Sequence, residues 1–391
     1  MAALTPSPAD APSAAGPSAA AIRVDRAGTE LRRGRPLVLA LAFGGAAGSG
    51  QGHTDGGRLL VAAVETLSEK RLQQLLQAGT APQLLLSAER LCALGGPAAA
   101  APCALALPAG ITLLQLQQLA AVLPGPGDRN LLRSARPSTS ESPAWPALLA
   151  LCKRARLIPA ALMVHAGADA SAALAEAQVL HFDPADIAQA ALRRAAGLYR
   201  VSDARVPLNA EEDCTLVMFR EPESDAEHVA VIVGQPPADA PVPVRLHSAC
   251  LTGDLLGSLR CDCGPQLQQA VARLAETGGV LLYLAQEGRG TGLANKLRAY
   301  RLQDAGLDTL QADRHLGFRE DERDYAAAAA MLKALGYLRI HLLTNNPQKI
   351  AALRQSGIDV VDRQALHGQM NAHNERYIRT KQQAGHLGAE D

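Results

Sequence analysis

The chain has 391 residues with 38 Lys+Arg against 38 Asp+Glu, and this zero formal charge excludes a uniformly basic surface for nucleic acid or anionic membrane. A hydrophobic share of 48% with 19% charged residues can bury a core, and a 3% aromatic share with abundant alanine favours helix-rich α/β packing over a β-sandwich. Seven scattered cysteines fit no disulfide framework, no apolar run is long enough to cross a bilayer, and no secretion signal opens the chain, so a reduced, cytoplasmic protein is expected.

In chain order, residues 1–21 are Ala/Pro/Ser with almost no large side chain and read as a disordered leader. Apolar runs recur over 36–43, 58–64 and 83–86, followed by a helical pattern over 147–157. A Gly-rich break at 44–57 and a Pro/Ser-rich one at 136–146 interrupt them, and this part of the chain, 22–199, carries no dense chemistry. From about 200 the texture changes, with polar clusters at the ends of apolar runs. Strands are predicted over 242–247, 279–285, 339–343 and 358–361. Helices are predicted over 265–276, 293–305 and 324–335 and from Pro347 onward. The predicted fold class is α/β in two domains, with chemistry after the strands of the second, where open α/β sheets bind ligands.

The densest signal is Cys250-LTGDLLGSLR-Cys261-Asp-Cys263. Three thiolates at this spacing suit a tetrahedral Zn²⁺ with one position left for water, whose lowered pKa would supply a hydroxide nucleophile. The plainer reading, buried free cysteines, suits one such residue better than three together. His247 is left out as a fourth ligand because a lone histidine is more often structural. Next comes Gln286-Glu-Gly-Arg-Gly-Thr-Gly-Leu, where Gly288, Gly290 and Gly292 permit close backbone approach and Arg289 can neutralise a phosphate; alone it is only a strand-to-helix turn. Gly317-Phe-Arg-Glu-Asp-Glu-Arg-Asp-Tyr reads equally as a solvated helix start. Thr344-Asn-Asn-Pro-Gln-Lys349 suits a phosphate chain, although helix capping explains it as well.

Together HSACLTGDLLGSLRCDCGPQL, QEGRGTGLANKLRAY, LGFREDERDY and LLTNNPQK, from about 201 to 388, resemble the GTP cyclohydrolase II family, zinc enzymes that open the guanine ring at the start of riboflavin synthesis. The resemblance implies Cys250, Cys261 and Cys263 as zinc ligands with water as the fourth. It implies GTP contacts from Arg245, Leu246, His247, Ser248, Ala249, Gln266, Glu287, Gly288, Arg289, Thr309, Thr344 and Lys349, with Mg²⁺ on the triphosphate. Asp321 would be the proton acceptor and Arg323 the family's nucleophile toward the α-phosphorus, while Tyr300 matches the tyrosine that favours complete ring opening. Two positions depart from the pattern: Ala249 where many relatives have Glu, and Thr291 where they usually have Ile. The implied products are formate, pyrophosphate and 2,5-diamino-6-(5-phospho-ribosylamino)pyrimidin-4-one, and the implied assembly is a homodimer.

LRRGRPLVL, LLVAAVETLSEKRLQQLL and LLLSAERLCALG are similar in order to 3,4-dihydroxy-2-butanone 4-phosphate synthase, which is often fused ahead of GTP cyclohydrolase II. That family's acidic metal-binding loop would fall at 44–57, where Asp55 is the only carboxylate, and its catalytic His-Thr-Glu segment is replaced near Ser142-Pro143-Ala144. Residues 22–199 are therefore expected to be a degenerate, inactive synthase-like domain ahead of a cyclohydrolase domain at 200–391. Two alternatives stay open: a paralogue that stops at a formamidopyrimidine, and a zinc- and GTP-binding regulator without turnover.

Overall fold

The computed structural model describes residues 18–40, 58–96, 101–108, 110–123, 132, 136–137, 142–167, 179–194, 197–222, 224–366 and 370–375. The glycine-rich interval 44–57 and the first 17 residues lie outside these. The chain divides into two compact units, one of Ser18–Ala190 with Leu297–Glu320, the other of Ala191–Lys296 with Asp321–Asp391.

The first unit is built on strands β1 (Leu37–Ala40), β2 (Arg58–Ala63), β3 (Gly79–Leu86), β4 (Cys103–Ala106), β5 (Arg136–Pro137), β6 (Ala160–Ala166) and β7 (Leu180–Phe182). They pair in the order β5-β4-β3-β6-β2-β1-β7, antiparallel except for β1 with β7. Alternation along β2 sends Leu60 and Ala62 to one face and Leu59, Val61 and Ala63 to the other, so the sheet needs cover on both sides. Helices Ala19–Arg32 and Ala144–Arg154 cover one side through Val24, Ala27, Leu31, Leu148 and Leu151. The other side takes Leu72, Leu75, Leu91, Leu116 and Leu119, together with Ala299, Leu302, Ala312, Leu316 and Phe318 from far along the chain.

Two sequence expectations need correction here. The leader does not extend to residue 21: Ser18 caps a helix from Ala19, and Ala20 and Ala21 are buried at the head of an apolar stripe with a three-to-four-residue repeat. The boundary near 200 does not hold all of 200–391 together either, because Leu297–Glu320 packs with Ser18–Ala190.

The second unit contains β8 (Tyr199–Arg205), β9 (Cys214–Arg220), β10 (Glu227–Val233), β11 (Val242–Ser248), β12 (Gly279–Leu284), β13 (Arg339–Leu343) and β14 (Asp359–Gln364). Their order is β14-β13-β11-β12-β10-β9-β8. The β14, β13, β11 and β12 neighbours run parallel, and β10, β9 and β8 continue antiparallel from β12. On β11, Val242, Val244 and Leu246 enter the core beneath the helix Ala326–Ala334, which leaves Arg245 and His247 on the opposite face. The helix Cys263–Thr277 covers that opposite face through Ala270 and Leu274. Three polar turns leave the same ends of the adjacent parallel strands β11, β12 and β13, which is where parallel sheets present ligand sites.

Candidate metal and nucleotide site

β11 ends at Ser248, and the chain makes a single π-helical turn over Leu251–Leu255 before returning to the helix Cys263–Thr277. Such turns recur at functional sites because the widened loop re-aims side chains. Here it brings the sulfurs of Cys250, Cys261 and Cys263 within 4.8 Å of one another. The Cys250 and Cys261 Sγ atoms are 3.8 Å apart, too far for a disulfide. A tetrahedron with Zn–S bonds of about 2.3 Å has an edge of about 3.8 Å, so the Cys250–Cys261 separation fits zinc. Gly253 lies against all three residues, and a Cβ there would meet Cys261 Sγ at 2.8 Å, Cys263 Cβ at 2.9 Å and Cys250 Sγ at 3.0 Å.

The surroundings favour the anionic form of sulfur at Cys250, while the hydrogen bond with Cys250 pushes the Cys261 thiol up. Cys250 Sγ accepts from Gly253 N at 3.3 Å and from Lys296 Nζ at 2.9 Å. Hydrogen bonds from Cys261 and Cys263 hold the Cys250 thiol far below the ordinary thiol range, and Lys296 adds to the effect. Lys296 also donates to Thr252 Oγ1 at 2.9 Å and to Glu287 Oε1 at 2.8 Å, while Glu287 Oε2 accepts from Leu251 N at 2.7 Å.

Asp254 anchors the turn, accepting from Cys250 N at 2.9 Å and from the Tyr283 hydroxyl at 2.9 Å. His247 Nε2 lies 3.0 Å from Asp254 Oδ1, so the histidine is a partner of Asp254. Burial lowers the His247 pKa and keeps the ring neutral, which puts its proton on Nε2 toward the carboxylate.

Arg245, 6% exposed, donates to Leu343 O at 2.9 Å and to Gln266 Oε1 at 2.7 Å. Burial lowers its pKa to about 10, which still leaves it cationic at neutral pH. Leu246 buries its side chain in the core and offers only its main chain, whose carbonyl accepts from Lys349 Nζ at 2.8 Å. Ala249 N donates to Leu284 O at 2.8 Å, tying β11 to β12 beyond Ser248.

After β12, Gly288 (φ 63), Gly290 (φ 94) and Gly292 (φ 89) adopt left-handed backbone, and Arg289 does so at φ 58 despite its side chain. At Gly290 a Cβ would meet Glu322 O at 2.8 Å, so this glycine admits the acidic segment. Thr291 Oγ1 closes the turn on Gly288 O at 2.8 Å, a bond an isoleucine there would not make. Gln286 Nε2 donates to Asp324 O. Arg323 grips Asp321 in a bidentate pair, Nη2 to Oδ2 at 2.5 Å and Nε to Oδ1 at 2.8 Å. Burial alone would raise the Asp321 pKa, but the Arg323 hydrogen bond and charge more than offset it and hold the carboxyl below its ordinary range.

At the third turn Thr344 Oγ1 accepts from Asn346 N at 3.0 Å, and Asn346 caps the helix Pro347–Gln355 by accepting from Gln348 N at 2.9 Å. Helix capping is therefore real at Asn346. Lys349 Nζ and the Arg323 guanidinium lie 5.9 and 5.6 Å from the centre of the Tyr325 ring.

Five buried polar atoms of this unit have no hydrogen-bond partner among the described residues: Arg245 Nε, His247 Nδ1, Ser248 Oγ, Gln286 Oε1 and the Tyr325 hydroxyl. Buried groups of this kind cost roughly 1–3 kcal/mol each when left unpaired, which marks the place as built for a polar ligand.

The structure thus gathers the predicted Arg245, His247, Ser248, Gln266, Glu287, Gly288, Arg289, Asp321, Arg323, Thr344 and Lys349 into the unit that holds the cysteines. Tyr300 and Thr309 fall in the other compact unit, on the helices Leu293–Asp304 and Thr309–His315. Sequence reasoning missed Lys296, Tyr283 and Tyr325, whose roles need contacts between distant segments. It also missed a buried pair at the start of the glycine-rich turn: His228 Nδ1 accepts from Ala285 N at 3.0 Å while Nε2 meets Glu221 Oε1 at 3.1 Å.

Residues 199–365 match the family model for GTP cyclohydrolase II. A "GTP cyclohydrolase-2" from Azospirillum brasilense is 42% identical over 97% of this chain and 99% of its own length, and one from Xylella fastidiosa is 39% identical over 94% and 88%. Among solved structures, a two-domain 3,4-dihydroxy-2-butanone 4-phosphate synthase from A. baumannii is 17% identical over 89% of this chain and 100% of its own, with a TM-score of 0.30. Matched along nearly its whole length by relatives of that name, the chain belongs to the GTP cyclohydrolase II family.

Proposed function

We propose that the protein hydrolyses GTP to formate, pyrophosphate and 2,5-diamino-6-(5-phospho-ribosylamino)pyrimidin-4-one, with one zinc ion on Cys250, Cys261 and Cys263. The observation that carries this reading is the three-sulfur cluster with its 3.8 Å edge, set beside buried polar atoms that await a ligand. Zinc bound there supplies Lewis acidity and lowers the pKa of water toward neutrality, which the attack on a purine carbon requires.

The residues around the cluster supply the rest. Three thiolates exceed the charge of a divalent ion by one, and the Lys296 ammonium, 2.9 Å from Cys250 Sγ, offsets that excess. The unpartnered atoms mix donors (Arg245 Nε, the Tyr325 hydroxyl) with acceptors (His247 Nδ1, Gln286 Oε1), and Ser248 Oγ serves as either, as the edges of guanine demand. Asp321, ionised at neutral pH, is the proton acceptor. Arg323 stays cationic in its bidentate pair, which suits charge stabilisation on the phosphate chain better than nucleophilic attack. Arg289 and Lys349, with Mg²⁺, meet the triphosphate, and Tyr300 and Thr309 take the roles that the family pattern gives them.

The Ser18–Ala190 half is proposed to be catalytically inert, in a homodimeric, cytoplasmic enzyme. In place of the synthase's catalytic segment, Ser142 Oγ accepts from Ala144 N at 3.2 Å at the start of the helix Ala144–Arg154. The deciding experiment is mass spectrometry of the product with formate quantified. Loss of both formate and pyrophosphate supports the reading; a product that retains the formyl carbon supports the paralogue, and bound, unchanged GTP the regulator.

A further inference from the structure

The segment Leu297–Glu320 belongs by sequence to the cyclohydrolase half, yet it folds into the same compact unit as Ser18–Ala190. It is built into that unit. Ala299, Leu302, Ala312, Leu316 and Phe318 sit in one core cluster with Leu91, Leu116, Leu119 and Ile158.

Three polar attachments accompany the apolar ones. Arg90, 1% exposed and among the largest fully buried side chains, donates Nη1 to His315 O at 3.0 Å, Nη2 to Gln118 O at 2.7 Å and Nε to Leu119 O at 2.8 Å. Those carbonyls end the helices Thr309–His315 and Leu113–Leu119, so one guanidinium meets the negative ends of two helices. Ser87, which caps the helix Ala88–Ala93, donates its hydroxyl to Gly317 O at 2.8 Å. Glu65 pairs Oε1 with Arg298 Nη2 at 2.8 Å while Oε2 accepts from Ile158 N at 2.7 Å.

A buried cation is costly unless its hydrogen bonds are well placed, and here they join segments about 225 residues apart. We propose that the Ser18–Ala190 half is a scaffold that orders residues 297–320, with Arg90 as its central positioning residue. Its consequence for turnover rests on the cyclohydrolase reading, because the segment carries Tyr300 and Thr309; its consequence for order does not.

The test uses the full chain with Arg90→Met, Arg90→Lys, Ser87→Ala and Glu65→Gln. Hydrogen exchange is followed over 297–320 and, as an internal reference, over the helix Cys263–Thr277. Loss of a buried charge-assisted hydrogen bond should speed exchange at 309–317 by about tenfold or more in Arg90→Met, and by less in Ser87→Ala. Glu65→Gln still accepts from Ile158 N but loses the ion pair, and should act mainly on 297–304. The reference helix and the zinc content should stay unchanged, kcat/KM for formate release should fall in step with the exchange, and Arg90→Lys should recover part of both. Should Arg90→Met fail to fold, Ser87→Ala and Glu65→Gln decide the matter. The proposal is overturned by unchanged exchange over 297–320 or by equal acceleration in the reference helix; faster exchange with unaltered turnover upholds the scaffold and overturns only its consequence for turnover. If the wild-type protein releases no formate, the cyclohydrolase reading fails and exchange alone decides the scaffold.

Discussion

Replacing Gly253 with alanine would set a methyl group among the three sulfurs. Its carbon would stand 2.8 Å from Cys261 Sγ, about 0.6 Å inside the 3.4 Å at which ordinary contact begins, with Cys263 Cβ at 2.9 Å and Cys250 Sγ at 3.0 Å. Behind it, Gly253 O lies so near Gly264 that a side chain at 264 would meet it, its Cβ at 2.4 Å, so the two glycines let the turn and the helix approach closely. With three cysteine atoms crowded at once, the expected relief is a spreading of the sulfurs away from the 3.8 Å edge that suits zinc. Overpacking of this kind costs about 1–3 kcal/mol, and at about 1.4 kcal/mol per tenfold it should weaken zinc binding by about fivefold to a hundredfold. Competition against a chromogenic chelator measures this directly, with Cys92→Ser, an exposed cysteine outside the cluster, as the control that should retain wild-type affinity. Unchanged affinity in Gly253→Ala would refute the inference that the sulfurs converge on one ion.

Asp254→Asn keeps the shape but loses the charge that faces His247, Tyr283 and Cys250 N; thermal melts should show a loss of about 1–3 kcal/mol, and formate release should fall by about tenfold or more. Arg323→Gln removes the group that offsets burial at Asp321, so the Asp321 pKa should rise. In the wild type the ionised carboxylate is retained above the ordinary carboxylate range and lost only as pH falls through the lowered value; in the variant the acidic limb of kcat/KM should move to higher pH, beside an overall drop in rate. His315, pushed by burial and then by Arg90 from 6.5 to about 4, is neutral in the fold. Its depressed value means that the unfolded chain binds more protons, so stability is full above pH 6.5 and erodes as pH falls toward 4. His315→Gln should flatten that part of the stability profile in denaturant titrations.

What the sequence makes legible is local. Cys250, Cys261 and Cys263 lie within fourteen consecutive residues on either side of a turn, and the strand, polar turn and helix after each of β11, β12 and β13 follow from apolar runs and punctuation. Leaving His247 out of the metal set rests on the weakness of a lone histidine as a signal, and its partner is Asp254. The helix Ala19–Arg32 stays hidden because its first buried residues are alanines in a Pro/Ser-rich stretch, which composition cannot tell from a leader. Nor can periodicity reveal that Leu302, Leu316 and Phe318 pack with Leu91 and Leu116, since any amphipathic helix has an apolar face and none states its partner. Lys296 and Tyr283 show their roles only when the fold brings β12 and Lys296 to the cysteine turn.

Formate release from GTP is proposed to depend on a metal ion that the three thiolates would hold. Zinc measured by elemental analysis on the purified full chain, set against formate release for wild type and Cys261→Ser, tests it most directly. The account predicts about one zinc per wild-type chain, with ion and formate release lost together in the variant. Undiminished formate release from zinc-free protein would contradict it.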